Sequence, residues 1–287
     1  MIKSDGTPRI VKEFDIDRDI GLGTPENPRT KVTIVILEPA FKIEDRPLRG
    51  KQILANLERH GRRCYKSEDK ISETSAAPFL EHAIKIGHFS IIEHEKVTVS
   101  LVMDRGISHE WVRHRLAAYS QESTRYVNYG KRGFQYIYPF FWEMGSPEYQ
   151  EWEGGIIDAT FHYLKLLAFG AKPQRARTLL PNSLKTELVA THNIRQWRHI
   201  FYQRGDKAAH EQFRQILLPI CAEFQKRIPV LFDDLEIDWE NSVIRIKPKE
   251  EMLKILDKLD QLIGSMPEAQ EDLMVLRERI QNLVIAT

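Results

Sequence analysis

Residues 95–104, EKVTVSLVMD, alternate apolar and polar side chains with a period of two, so that Val97, Val99, Leu101 and Met103 fall on one face. That pattern predicts a half-buried strand, with this face against a core. Its neighbours follow a different period. PLRGKQILANLERHGRR brings Ile53, Leu54 and Leu57 to helical spacing, and TSAAPFLEHAIKIGH at 74–88 starts as a helix with Thr74 as its cap and Pro78 early. ISHEWVRHRLAA, which follows the strand, reads as a short helix, and YSQESTRYVNY as extended chain. TKVTIVILE at 30–38 and LKTELVATH before residue 193 are β-like. From about residue 146 the chain turns helical: EYQEWEGGIIDATFHYLKLLAFG, KPQRARTLLP, NIRQWRHIFYQRG with Gly205 as its stop, and the apolar-striped KAAHEQFRQILLPICAEFQKRIPVLF. These elements predict an α+β fold, a central and mostly antiparallel sheet flanked by helices.

The two ends differ from this body. Residues 1–30 are polar and punctuated by GLGTPENP, which predicts an irregular N-terminal arm ahead of a body at 31–245. Residues 246–287 predict a C-terminal helical hairpin extension. Met252, Leu253, Leu256, Leu259 and Ile263 share one helical face, Leu273, Leu276, Ile280 and Leu283 share another, and GSMPEA between them supplies a Gly stop, a Ser cap and an early Pro.

Composition narrows the class. At 42% hydrophobic and 29% charged, 287 residues suffice for a sizeable core, and a formal net charge of +1 gives no global field of the kind a nonspecific nucleic-acid binder uses. Cys64 and Cys221 form no CxxC pair, which points to a reducing compartment. No apolar run approaches the roughly 20 residues of a membrane span. MIKSDGTPRIVKEF also lacks the apolar centre of a signal peptide, so the expectation is a cytoplasmic protein with no membrane partner.

Residues 113–126, RHRLAAYSQESTRY, hold Arg113, Arg115 and Arg125 against a single acid, Glu122. Further arginines stand at 175 and 177 and at 195, 198 and 204. A planar guanidinium fork meets phosphate or carboxylate bidentately, so segments of mixed structure offering arginines suggest a pocket for a phosphorylated small molecule. Surface salt-bridging is the plainer alternative. His82, His88 and His94 recur every six residues and His109 and His114 lie five apart, whereas ligands on one helix face need three or four; no metal site is expected. GxGxxG, GxxxxGK[ST] and GxSxG are all missing. Two other classes remain open. One is an RNA- or nucleotide-binding module that stacks bases on Tyr119, Tyr126 and Tyr129, against which the near-neutral charge argues. The other is a metal-dependent phosphohydrolase, against which the histidine spacing argues.

The same residues carry a resemblance. Arg113, His114 and Arg115, with Ser123 eight positions on and then Arg125 and Tyr126, resemble the signature of the flavin-dependent thymidylate synthases. GHFSIIEH at 87–94, RTLLP at 177–181 and NIRQWRHIFYQR at 193–204 resemble three further elements of that family, in order. The resemblance covers about 31 to 240 and leaves both ends outside. It implies reductive methylation of dUMP to dTMP, with methylenetetrahydrofolate as one-carbon donor and NADPH-reduced FAD as hydride source, in a homotetramer that shares active sites between subunits and binds no nucleic acid. Carried over by position, it implies that Arg113, Ser123, Arg125, Arg177 and Arg204 hold dUMP, Ser123 and Arg204 being nearest the chemistry. His88, Ser90, Arg113, His114, Arg115, Gln121, Asn193, Arg195 and His199 would line FAD. The chain departs from the family pattern at Glu110, Ser120, Gln121 and His199.

Overall fold

The computed structural model describes residues 2–24, 27–44, 50–247, 250–265 and 270–286, with backbone alone at 19–24, 27–30, 250–253 and 280–286. Among these residues the strands are β1 (Ile10–Thr24), β2 (Asn27–Leu37), β3 (Ala40–Ile43), β4 (Lys96–Asp104), β5 (Ala117–Gln121), β6 (Phe134–Ile137), β7 (Lys185–Asn193), β8 (Leu235–Asp238) and β9 (Val243–Ile246). The helices are α1 (Gly50–Tyr65), α2 (Ala76–Lys85), α3 (Arg105–Trp111), α4 (Tyr129–Arg132), α5 (Pro147–Ala168), α6 (Pro173–Ala176), α7 (Ile194–Arg204), α8 (Glu211–Arg227), α9 (Glu250–Ser265) and α10 (Gln270–Ala286).

The sheet that positions the site has the order β3-β4-β7-β5 and is antiparallel throughout. β4 is the alternating segment, and Val97, Val99, Leu101 and Met103 are all buried. With Leu188 and Ala190 of β7 they meet Leu57, Leu80, Trp197, Phe201, Ile216 and Phe224 from α1, α2, α7 and α8 in the larger core. The opposite face of β5 and β7, with Ser120 and Val189, is exposed. A second sheet, β1-β2-β6, packs on α5 through Ile34, Ile36, Phe134, Tyr136, Ile156 and Tyr163.

Three local expectations are revised. The N-terminal stretch is irregular only over residues 2–9: from Ile10 β1 pairs antiparallel with β2, from Ile10↔Leu37 to Thr24↔Asn27, and Val11, Phe14 and Ile16 pack on the second core. The Gly/Pro punctuation taken for an arm falls where β1 gives way to its partner β2; Pro25 and Glu26 lie outside the described residues. The cap position of α2 is Ser75, not Thr74. Helix α3 stops at Trp111, so the Arg113–Arg115 triplet lies beyond its end. At the C-terminus α9 and α10 pair as a hairpin, in which Leu256, Leu259 and Ile263 are covered but Leu276 is exposed. Of its expected turn, GSMPEA at 264–269, Gly264 does not stop the helix, since α9 runs through Ser265, and 266–269 lie outside the described residues.

Candidate active site

Antiparallel pairing in the site sheet brings the ends of β4, β5 and β7 together, and each expected motif sits at such an end. Helix α3 leaves β4 with Asp104 as N-cap, its Oδ1 accepting the Ile107 amide at 2.7 Å. The chain then passes Arg113, His114 and Arg115 and enters β5 through Leu116, whose φ of 63° is left-handed and whose side chain is exposed. An exposed leucine in that conformation is uncommon, and such strain persists where the surroundings impose it. Here Tyr119 does so: its hydroxyl donates to the carbonyls of both Trp111 and His114, closing the bend.

The bend presents its side chains unequally. Arg113 and Arg115 are exposed, while His114 is buried. Helix α7 returns across the sheet, and at its last residue Arg204 Nε donates to His114 Nε2 at 3.1 Å while Nη1 pairs with Glu110 at 2.9 Å. Burial first, then the charge of Arg204, lower the His114 pKa to about 4. The ring is therefore neutral at pH 7, with its proton on Nδ1, which lets Nε2 accept from the guanidinium. His199, one turn back on α7, is exposed and stands edge-on to His114 at 6.3 Å.

A second group forms beyond β5. Ser123 is half-buried, its Oγ accepting the Arg125 amide at 3.3 Å, and Arg125 is exposed over the ring of Tyr126. Arg177, on a single 3₁₀ turn after α6, reaches this loop and donates from Nη1 to Thr124 Oγ1 at 3.1 Å. Gln121 points elsewhere, its Nε2 donating to Ser108 Oγ at 2.8 Å within the body.

A third group joins the α2–β4 connection to the start of α7. His88 Nδ1 shares a hydrogen bond of 2.6 Å with the Tyr65 hydroxyl, and Ser90 is exposed at the head of the 3₁₀ turn Ile91–His94. Arg195 pairs with Glu93 at 2.6 Å. Asn193 is the N-cap of α7, its Oδ1 accepting the Gln196 amide at 2.8 Å.

Hydrogen bonds and ion pairs thus link Arg204 to His114, and Arg177 to the Ser123–Arg125 loop. Sequence reasoning missed the residues that hold the arginines in place: Glu93, Glu110, Thr124 and, beside His88, Tyr65. Glu110 stood out only as a departure from the family pattern and Thr124 carried no signal of its own; neither pointed to its partner, 94 and 53 residues away. The three tyrosines proposed as a stacking platform do not form one. Tyr129 is buried and Tyr119 spends its hydroxyl on the bend, leaving Tyr126 exposed. Among the described residues no group of His, Cys, Asp or Glu is arranged to hold a metal. Cys64 is exposed on α1, and burial pushes the Cys221 thiol up to about 12.

Residues 52–230 match the family model described as thymidylate synthase complementing protein, Thy1. The flavin-dependent thymidylate synthase of Mycobacterium avium (strain 104) is 33% identical over 196 residues, which is 62% of this chain and 77% of that protein. That of Geobacter sulfurreducens is 30% identical over 180 residues, 60% of this chain and 78% of the relative. That of Mycobacterium tuberculosis (strain ATCC 25177 / H37Ra) is 31% identical over 195 residues, at 62% and 77%.

Proposed function

The chain belongs to the thymidylate synthase complementing protein family, and from that premise we propose how its residues serve the flavin-dependent conversion of dUMP to dTMP. The reaction needs a one-carbon donor and a reductant, which we assign to methylenetetrahydrofolate and NADPH. Ser123, Arg125 and Arg177, with Arg113 and Arg204, bind dUMP. Charge-assisted hydrogen bonds from guanidinium groups hold its phosphate and uracil oxygens, and the Ser123 hydroxyl serves as a neutral donor. Arg204, fixed by Glu110 and His114, is oriented to stabilise charge that develops on the pyrimidine as the carbon–carbon bond forms.

The residues present fit FAD. Arg113 and Arg115 are exposed cations without a carboxylate partner among the described residues, as a diphosphate requires. The Tyr65 bond occupies His88 Nδ1 and leaves Nε2 for a ligand, while Asn193 keeps its amide NH2 after capping α7. Ser90, His114, Arg195 and His199 complete the set. Gln121, named with this set by the resemblance, donates its amide to Ser108 Oγ, and we give it no FAD contact. When bound, FAD supplies the hydride chemistry that no side chain can. The protein's part is to bind and orient; the homotetramer with shared active sites is carried over from the family resemblance, and the cytoplasm from the unpaired Cys64 and Cys221.

The observation that carries this reading is the Arg177–Thr124 hydrogen bond, which joins two motif segments 53 residues apart at the expected substrate loop. Purified protein saturated with FAD should show a flavin spectrum and form dTMP from dUMP, methylenetetrahydrofolate and NADPH. A folded protein that neither binds FAD on titration nor makes dTMP would overturn it.

A further inference from the structure

The substrate loop is held by charges that the proposed dUMP contacts do not use. From residue 122 to 125 the side chains alternate between anchoring and presenting. Glu122 and Thr124 are tied to the body, whereas Ser123 and Arg125 face outward. Thr124 is held by Arg177. The Glu122 anchor is stronger: its amide donates to the Glu187 carbonyl at 2.9 Å, Oε1 accepts from the Tyr129 hydroxyl at 2.9 Å, and Oε2 meets Lys185 Nζ at 3.1 Å. Glu122 and Lys185 keep 17% and 12% of their side-chain surface, so the pair is poorly screened by solvent. Burial first, then the Glu122 charge, raise the Tyr129 pKa, so its hydroxyl stays protonated and donates.

This arrangement has an electrostatic consequence. A carboxylate one residue from Ser123 would repel a dianionic phosphate unless neutralised. Lys185 is the cation paired with it; the same ammonium also meets the exposed Glu187, so it offsets the Glu122 charge in part. We propose that Glu122, clamped by Lys185 and Tyr129, is a positioning residue that fixes the Ser123–Arg125 loop for dUMP while Lys185 offsets its charge. The proposal rests on the reading of this loop as the dUMP site.

The two halves of the clamp then differ in effect. Lys185→Met leaves Glu122 charged beside the phosphate and should weaken dUMP binding about tenfold, the scale of a lost charge-assisted contact. Glu122→Gln loosens the loop without exposing a charge and should cost only about threefold. The double variant Glu122→Gln, Lys185→Met should bind like Glu122→Gln alone, because the partly buried uncompensated charge is gone; the rescue is read on dUMP affinity and on its salt dependence, since stability alone would show coupling for any contacting pair. Lys185→Arg should stay within about twofold of wild type.

Calorimetry of dUMP binding to FAD-loaded protein, with steady-state kinetics, tests this. The expected result is a rise in KM for dUMP, with kcat and FAD affinity unchanged. Unchanged dUMP affinity in folded Lys185→Met, or additive losses in the double variant, would overturn the clamp. If Lys185→Met does not fold, Glu122→Gln decides alone: a raised KM at constant kcat supports the proposal and an unchanged KM overturns it. Wild-type protein measured alongside separates the two readings, since failure of dUMP to bind it would strike the site assignment itself.

Discussion

Arg195, Arg198 and Arg204 of α7 each end on a carboxylate, those of Glu93, Asp234 and Glu110. Arg113, Arg115 and Arg125, on the bend and loop that flank β5, meet no carboxylate among the described residues. A guanidinium that already holds a carboxylate has much of its charge satisfied within the fold, whereas one facing solvent can take an anion from elsewhere. The difference teaches which arginines of an arginine-rich sequence build the site and which are left to bind. Arg204 stands between the two kinds, being half-buried and paired, yet attached through His114 to the bend.

The most severe way to break this contrast is at Arg198. Its side chain is nearly buried, donates to the Leu231 carbonyl and to Asp234 at 2.7 Å, and lies over the Phe89 ring. Arg198→Ala leaves unpaired a carbonyl and a carboxylate that keeps 35% of its side-chain surface, and should cost about 2 kcal/mol of folding stability, within the range for a lost hydrogen bond to a charged group. Denaturant unfolding measures the loss, and the folded fraction should bind dUMP as the wild type does. Equal stability would mean that the α7 pairing is decoration.

At Arg125 the expectation reverses. Arg125→Ala should change stability by no more than about 0.5 kcal/mol, because the side chain is exposed. dUMP affinity should fall about tenfold to a hundredfold while FAD binding is retained. An unstable variant with normal dUMP affinity would place Arg125 with the paired arginines and remove the distinction.

How much of this was legible depended on the range of the interaction. The alternation in β4, the stripe of α8 and the Asn193 start of α7 are local patterns, and they appear as read. Gly205 does follow α7, though not for backbone freedom. Its φ is −81°, and a Cβ there would come within 2.5 Å of Ile244 Cβ, so the glycine admits β9 at close range. The β8–β9 hairpin had no reading at all: its strands are four residues each, and its turn places Ser242 at a φ of 54° without a glycine to announce it. In β1 the alternation of Phe14 and Ile16 with Asp15 and Asp17 was visible but was outweighed by the polar composition around it. The motif residues were recognisable as members of a set, but their partners Glu110 on α3, Thr124 on the loop after β5 and Lys185 on β7 follow from how distant elements pack, which no single segment encodes.

The smallest expected effect concerns a group that neither region contains. A cysteine-dependent route to thymidylate requires a thiolate that adds to the pyrimidine ring, and the chain offers Cys64 and Cys221. Cys221 is fully buried within the larger core among Leu217, Phe224 and Phe232, and its thiol, pushed up to about 12, stays protonated at any physiological pH. Cys64 is exposed near the end of α1, next to Tyr65, and no hydrogen bond or ion pair joins it to Arg125, Arg177 or Arg204. Neither is coupled to the arginines that would hold the substrate, and the flavin-dependent route uses no enzyme thiolate. Cys64→Ser combined with Cys221→Ala should therefore leave kcat and the KM for dUMP unchanged, at a stability cost of about 1 kcal/mol from the lost core sulfur. A folded, FAD-loaded double variant that made no dTMP would show that the chemistry depends on a thiol, and the exposed arginines would then bind a substrate whose reacting carbon is attacked from a part of the molecule that neither α7 nor the Arg113–Arg115 bend supplies.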